Sequence, residues 1–467
     1  MPNKCPVCTK PANENYNGDC TYLICAYILA GLAMMLNIRL SYSSAPYALI
    51  RFGLPENLFS VFVRRIASAL ELWCLPSMLL GNIMDLGVKG NFQGDGSSPP
   101  KPTEGDRLNR FNWIIIPSIV AQWLNFLTYV LLLFVYLMGG GTGHLTTFYF
   151  VIAISGFVFG INMTLLYAAD YNYTPVYIAG ENSFPIVTSL MHYLTTLMFG
   201  NRRKWNSDYI VVCVDIVVAI IISFAAAVMW SVAYGHYRDT KTSASNTDTV
   251  TYGHILTEGF DKSPVHWGAI ISPALMVIVG MGLVYSIYPG IAPGMIVPFY
   301  LIDKIEMVLL IATFFPPVIV AMLIRYLKEY SPKTQHTGGD GGFTGWTTAG
   351  PVFYHAFDIL LIIKISLAII FIYSLHYRDS NLSRSIINQP KMSTTLSITF
   401  YMCHEILLAL GFAGVIGNNG GTYVVLPAQY IGALFMIFLA FYSEGYIIEY
   451  KSHDPAHWPT EGMWYYF

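Results

Sequence analysis

The chain is 467 residues long, 55% hydrophobic and only 11% charged, with a formal net charge of −2. Soluble domains carry roughly 25% charged residues, so this balance excludes an ordinary water-soluble fold. A net charge so close to zero gives no electrostatic reason to expect nucleic acid as a partner; the expected partner surface is the lipid bilayer.

Apolar stretches of about 20 residues or more recur about eleven times, and each is expected to be a membrane-spanning α-helix, because backbone in hydrocarbon must satisfy its own hydrogen bonds. The predicted fold class is all-α, a polytopic integral membrane protein. A polar tail, residues 1–19, precedes the first stretch and holds Cys5 and Cys8 as CPVC, with Cys20 just beyond. This is half of a zinc pattern without a companion pair, so free thiols are the leading reading and metal binding the second. The tail has no basic region leading into a short apolar core, so the first span is expected to act as its own signal anchor.

Predicted spans cover 20–40, 57–86, 111–138, 146–169, 175–199 and 208–235, then 265–288, 295–325, 351–377, 393–416 and 424–449. The polar connections 87–110, 236–264 and 326–350 are expected to be flexible, solvent-facing loops. The central one, 236–264, separates a predicted six-helix bundle (20–235) from a five-helix bundle (265–467). With a cytoplasmic N-terminus, Lys89, Lys101, Arg107, Arg110, Arg238, Lys241, Lys262, Lys328 and Lys333 fall inside. Arg202, Arg203, Lys204, Arg378, Arg384 and Lys391 fall outside, so the balance favours N-inside and C-outside.

Charges within or beside the spans carry the functional expectation, since ionisable groups at membrane depth are costly and tend to line a path. They are Glu71, Glu181, Asp215, Asp303, Lys304, Glu306, Lys364, Glu405 and Glu444. In GENSFPIVTS, Glu181 and Asn182 lie one turn from Pro185, a carboxylate and an amide beside a loosened helix. YSIYPGIAPGMIVP, from Tyr285 to Pro298, reads either as a tight helix-to-helix turn or as a broken helix of the kind found at carrier sites. Asp303 and Glu306 share a helix face, as a site or as a headgroup-level belt. Lys364 sits too deep in ILLIIKISLAII to snorkel and is expected to pair with a carboxylate such as Asp303 or Glu71. His404 and Glu405, mid-span, are candidates for carrying a proton or for holding helices together by hydrogen bonds.

No Walker loop, HExxH or GxSxG is present, and nothing suggests a haem box. The expectation is a non-enzyme without a cofactor, whose ligand is a small-molecule solute. A multispanning protein with an interaction or surface role and no carrier activity is the rival reading, and a proton-coupled carrier of another superfamily the third.

The layout of six spans, a polar loop and five spans resembles the equilibrative nucleoside transporters, and local fragments agree. YILAGLAMMLNIRL resembles that family's first helix, with Asn37 at its asparagine and Leu36 at its tryptophan. Tyr173, Thr174 and Gly180 match the fifth-helix region, while Glu181 replaces a glutamine; Phe159 stands at the fourth-helix glutamine, with Asn162 nearby. Tyr288-Pro289 resembles a Phe-Pro element. Asp303 matches the aspartate of an Asp-x-x-Gly-Arg motif in which Glu306 and Met307 replace glycine and arginine, and Lys364 stands for an arginine. The resemblance implies a facilitative carrier of nucleosides, nucleobases or a related polar solute. Asn37, Glu71, Asn162, Glu181 and Asn182 would contact solute from the first bundle, and Asp303 and Lys364 would form a charged pairing in the second. The cysteine-bearing N-terminus and LNIRLSYSSAPYAL also resemble the Tpr-related multigene membrane proteins of piroplasm parasites.

Overall fold

The computed structural model describes residues 21–55, 59–94, 96, 103–138, 143–200, 206–235, 239–242, 248–251, 267–333, 345–347, 350–418 and 421–452. Cys5, Cys8 and Cys20 lie outside the described residues. The described chain is helical apart from one short hairpin and the connections. In order, the helices are α1 (Thr21–Ser43), α2 (Ala45–Arg51), α3 (Phe59–Gly90), α4 (Glu104–Arg110), α5 (Ile116–Leu137), α6 (Leu145–Ala169), α7 (Thr174–Glu181), α8 (Phe184–Phe199) and α9 (Ser207–Gly235). The hairpin β1 (Asp239–Thr242) and β2 (Asp248–Thr251) follows, and then α10 (Trp267–Gly282), α11 (Val284–Ile287), α12 (Phe299–Ala312), α13 (Phe315–Tyr326), α14 (Ile359–His376), α15 (Asn381–Ile387), α16 (Pro390–Gly417) and α17 (Gly421–Ser452).

Among the described residues, seven helices are long and apolar enough to cross a membrane: Gly105–Leu137, Leu145–Ala169, Tyr209–Tyr234, Trp267–Ile287, Pro351–His376, Pro390–Gly417 and Gly421–Tyr450. Large apolar side chains such as Leu197, Phe438, Ile362 and Phe150 face outward, as the hydrocarbon core requires and water would not tolerate in such number. Two other predicted spans are split. The 175–199 stretch breaks between α7 and α8, where Asn182 and Ser183 interrupt the ladder and Pro185 opens the next helix. The 295–325 stretch breaks between α12 and α13 at Thr313 and Phe314, with Pro316 and Pro317 opening α13, because proline fits only the first turn of a helix.

The chain divides into two compact units, Met1–Val265 with Gly421–Leu426, and His266–Gly420 with Pro427–Phe467. In the first, α3 and α6 cross closely. Gly156 and Gly160 of GFVFG lie against the backbone of Leu70 and of Cys74, where an added Cβ would collide with carbonyl oxygens; this is the small-xxx-small solution to helix packing in lipid. A core of Leu36, Phe52, Phe62, Ile66, Leu70, Tyr136, Phe148 and Ile152 fills the space around it. In the second unit, Gly411 of α16 meets Pro273, Met276 and Val277 of α10, and Ile287, Ile291, Ile296, Phe371 and Phe400 form a separate core.

The predicted loops require correction. The 87–110 connection is shorter than expected. α3 runs on to Gly90, and a capping box starts α4 at Thr103, whose Oγ1 accepts from the Asp106 amide at 3.2 Å while Asp106 accepts from the Thr103 amide at 2.9 Å. A five-residue π-helical turn, Phe111–Ile115, then joins α4 to α5. Within 326–350, Trp346 is fully buried, its indole N–H donating to the Pro332 carbonyl at 2.9 Å and its amide to Asn418 Oδ1 at 3.0 Å. Its bulk is hidden from water and both its donors are satisfied, so this part of the segment is packed core. The central 236–264 segment contains the β1–β2 ladder, with Asp239 paired to Thr251 and Thr242 to Asp248.

Tyr285 to Pro298 is an interrupted helix, not a tight helix-to-helix turn. After α11 the chain winds through successive turns, with Ile291 N bonding to Ile287 O at 2.8 Å and Val297 N to Pro293 O at 2.8 Å. Ile291, Ala292 and Ile296 are buried. Irregular backbone survives at this depth because it is enclosed by protein and closes its own hydrogen bonds.

Candidate functional site

Two buried polar assemblies stand out, one in each unit. In the first unit, Ser118, Gln122, Asn125 and Tyr129 recur at spacings of four, three and four along α5, which places them on one helix face, and all are buried. Trp230 Nε1 of α9 donates to Ser118 Oγ at 2.9 Å, and Gln122 Nε2 donates to Asn162 Oδ1 of α6 at 3.2 Å. Asn162 Nδ2 points at the Met34 sulfur of α1, 3.0 Å away. Asn125 and Tyr129 both donate to the Ala33 carbonyl, at 3.4 and 2.5 Å. Gln122 Oε1 is buried with no hydrogen-bond partner among the described residues. Aromatic rings close the seam: Tyr27 stacks on Tyr173 with centroids 5.0 Å apart and meets Trp230 edge-on at 4.9 Å. The sequence reading found Asn162 but missed the α5 stripe, whose signal was the heptad-like recurrence of polar residues within an apolar run.

Beside the seam, α7 turns Thr174, Tyr177 and Glu181 to one face. Thr174 Oγ1 and Tyr177 Oη are buried and have no hydrogen-bond partner among the described residues. The Tyr167 and Tyr177 rings meet at right angles, 5.4 Å apart, within electrostatic reach of Glu181. Cys74 of α3 lies within reach of both Tyr177 and Glu71. Glu71 itself is half-buried, and Asn182 donates to the Ile178 carbonyl at 3.2 Å, closing α7. The helices carrying Asn37 and Asp303 are described, but those two side chains lie outside the described residues.

Two cations of the first unit are structural. Lys89 and Arg110, counted as loop charges from sequence, are buried. Lys89 pairs with Asp85 one turn earlier, bonds Thr422 Oγ1, and lies 4.2 Å from the Tyr423 ring centroid. Arg110 donates to the Ala168 carbonyl at the end of α6. Both therefore leave the set of basic loop residues on which the orientation rested.

In the second unit, Lys364 lies near the middle of its span and is 0% exposed. Its Nζ donates to the Gly280 carbonyl of α10 at 2.5 Å and lies 5.3 Å from the Phe400 ring centroid. That oxygen lies near a helix end, where carbonyls carry partial negative charge and need a donor; the Asp303 side chain, one of the two expected partners, lies outside the described residues. His404 Nδ1 bonds the same carbonyl at 2.7 Å, and its ring stands edge-on to Tyr401. Glu405 is buried within electrostatic reach of Lys364. The structure so brings together Lys364, His404 and Glu405 in one unit, and Asn162 with Gln122 in the other.

No family model matches the chain, and no curated protein matches it.

Proposed function

We propose that the protein is a facilitative carrier of a small polar solute, with nucleosides or nucleobases as the first candidates, built as eleven spans in bundles of six and five and working by alternating access. The observation that supports this reading most is the burial of hydrogen-bonding groups at mid-span depth in both units: Gln122 with Asn162, and Lys364 with His404 on the Gly280 carbonyl. Polar groups at that depth are costly and are characteristic of solute or ion paths. Orphaned acceptors and donors at Gln122, Thr174 and Tyr177 suit a ligand that offers both kinds of partner, as a nucleobase does. Glu181, within electrostatic reach of Tyr167 and Tyr177, and Glu71 would meet the solute's donors.

The test is uptake of labelled adenosine and hypoxanthine into proteoliposomes containing the full chain. Saturable uptake, competed by unlabelled compound and reduced several-fold by Gln122→Leu, is expected. Background flux for every purine and pyrimidine tried would remove the nucleoside version.

A further inference from the structure

The last four carbonyls of a helix lack amide partners within it, and together they carry about half a negative charge. α10 ends at Gly282, so the Gly280 carbonyl belongs to this set. In place of a backbone amide it receives two side-chain nitrogens, Lys364 Nζ at 2.5 Å from α14 and His404 Nδ1 at 2.7 Å from α16. Two full positive charges on one oxygen would repel strongly. One charged donor beside one neutral N–H avoids that repulsion.

The surroundings suit one small cation. α10 itself holds no ionisable side chain. α14 presents Lys364, and α16 presents Cys403, His404 and Glu405, the last two of which share the cluster with the Phe400 ring face. Tyr288 of the irregular connection meets Tyr401 at a tilt, centroids 4.6 Å apart, and Tyr401 in turn meets His404 edge-on. Lys304 of α12 is exposed. A helix-end carbonyl near mid-membrane, with a carboxylate in reach and an aromatic face, is the chemistry by which broken-helix carriers hold a coupling ion.

We infer that the carbonyl end of α10 is a monovalent-cation site that the chain fills with its own Lys364 ammonium. The first unit repeats the construction where the Arg110 guanidinium donates to the end of α6. A carrier so built needs no free sodium or potassium at this position; that consequence rests on the carrier reading, whereas the site itself does not.

Lys364→Ala removes three carbons and the ammonium, the atoms of n-propylammonium. In thermal melts of the full chain in detergent, this variant is expected to lose several degrees of Tm. Added n-propylammonium should restore most of the loss in a concentration-dependent way, as mass action requires, and leave wild type unmoved; partial restoration by sodium chloride supports the site too. Equal restoration by 1-propanol, which has the shape without the charge, or no restoration by any additive, would overturn the inference. If the alanine variant does not fold, Lys364→Met decides: it keeps the stem's bulk, is expected to melt below wild type, and a Tm equal to wild type would overturn the inference. Failure of purine and pyrimidine uptake would end the nucleoside reading and leave these melting outcomes standing.

Discussion

Removing the Lys89 ammonium while Asp85 stays in place strands a carboxylate that is 2% exposed. Breaking a buried pair from one side costs roughly 3–5 kcal/mol, whereas replacing both partners by apolar groups is close to neutral. Lys89→Met is therefore expected to lower the melting temperature sharply, and Asp85→Leu added to it to recover most of the loss; a double variant that melts no higher than the single one contradicts the pairing. The Gln122–Asn162 bond is weaker in kind. Interhelical side-chain hydrogen bonds in lipid average about 0.6 kcal/mol with a maximum near 1.7, so a cycle of Gln122→Leu and Asn162→Leu should return a coupling in that range. Zero coupling would mean that the two amides pack beside each other without bonding.

At the scale of helices, the α3–α6 crossing makes the clearest demand. A side chain at Gly160 would enter the Cys74 carbonyl and the Ser77 hydroxyl, while one at Gly87 would meet nothing within 4 Å. Gly160→Leu should thus cost about 1–3 kcal/mol or more by overpacking and reduce recovery of monodisperse protein, with Gly87→Ala as the tolerated control. Helix existence was legible in the sequence because run length and apolarity alone dictate it in lipid. Breaks were legible only in part. Pro185 announced the α7–α8 interruption, and Pro316-Pro317 carried the same signal for α12–α13 unread. What periodicity could not show is which carbonyl a deep cation would find. For Lys364 the sequence displays carboxylates and hides helix ends, so the Gly280 carbonyl could not be read from it. Lys89 and Arg110 looked like loop charges because the reach of α3 to Gly90 and the cap at Thr103 move both into packed structure. Trp346 shared that fate: a glycine-rich neighbourhood masked a side chain with two specific acceptors.

For the molecule as a whole, the division into units does not follow chain order, since Gly421–Leu426 belongs with the first 265 residues. That short segment brings Thr422 and Tyr423 to Lys89. A chain ending at Val265 is expected to give a lower yield of monodisperse protein, and a lower Tm, than the full chain; equal recovery on size-exclusion would show that the segment contributes nothing. Synthesis adds a timing constraint. The ribosome releases Lys89 more than three hundred residues before Thr422 and Tyr423 exist, so until then Asp85 is the partner that shelters its charge. The first unit can reach its finished form only after residues 421–426 have been made, and a product that stops before them would betray itself to quality control through an ammonium still waiting for its hydroxyl.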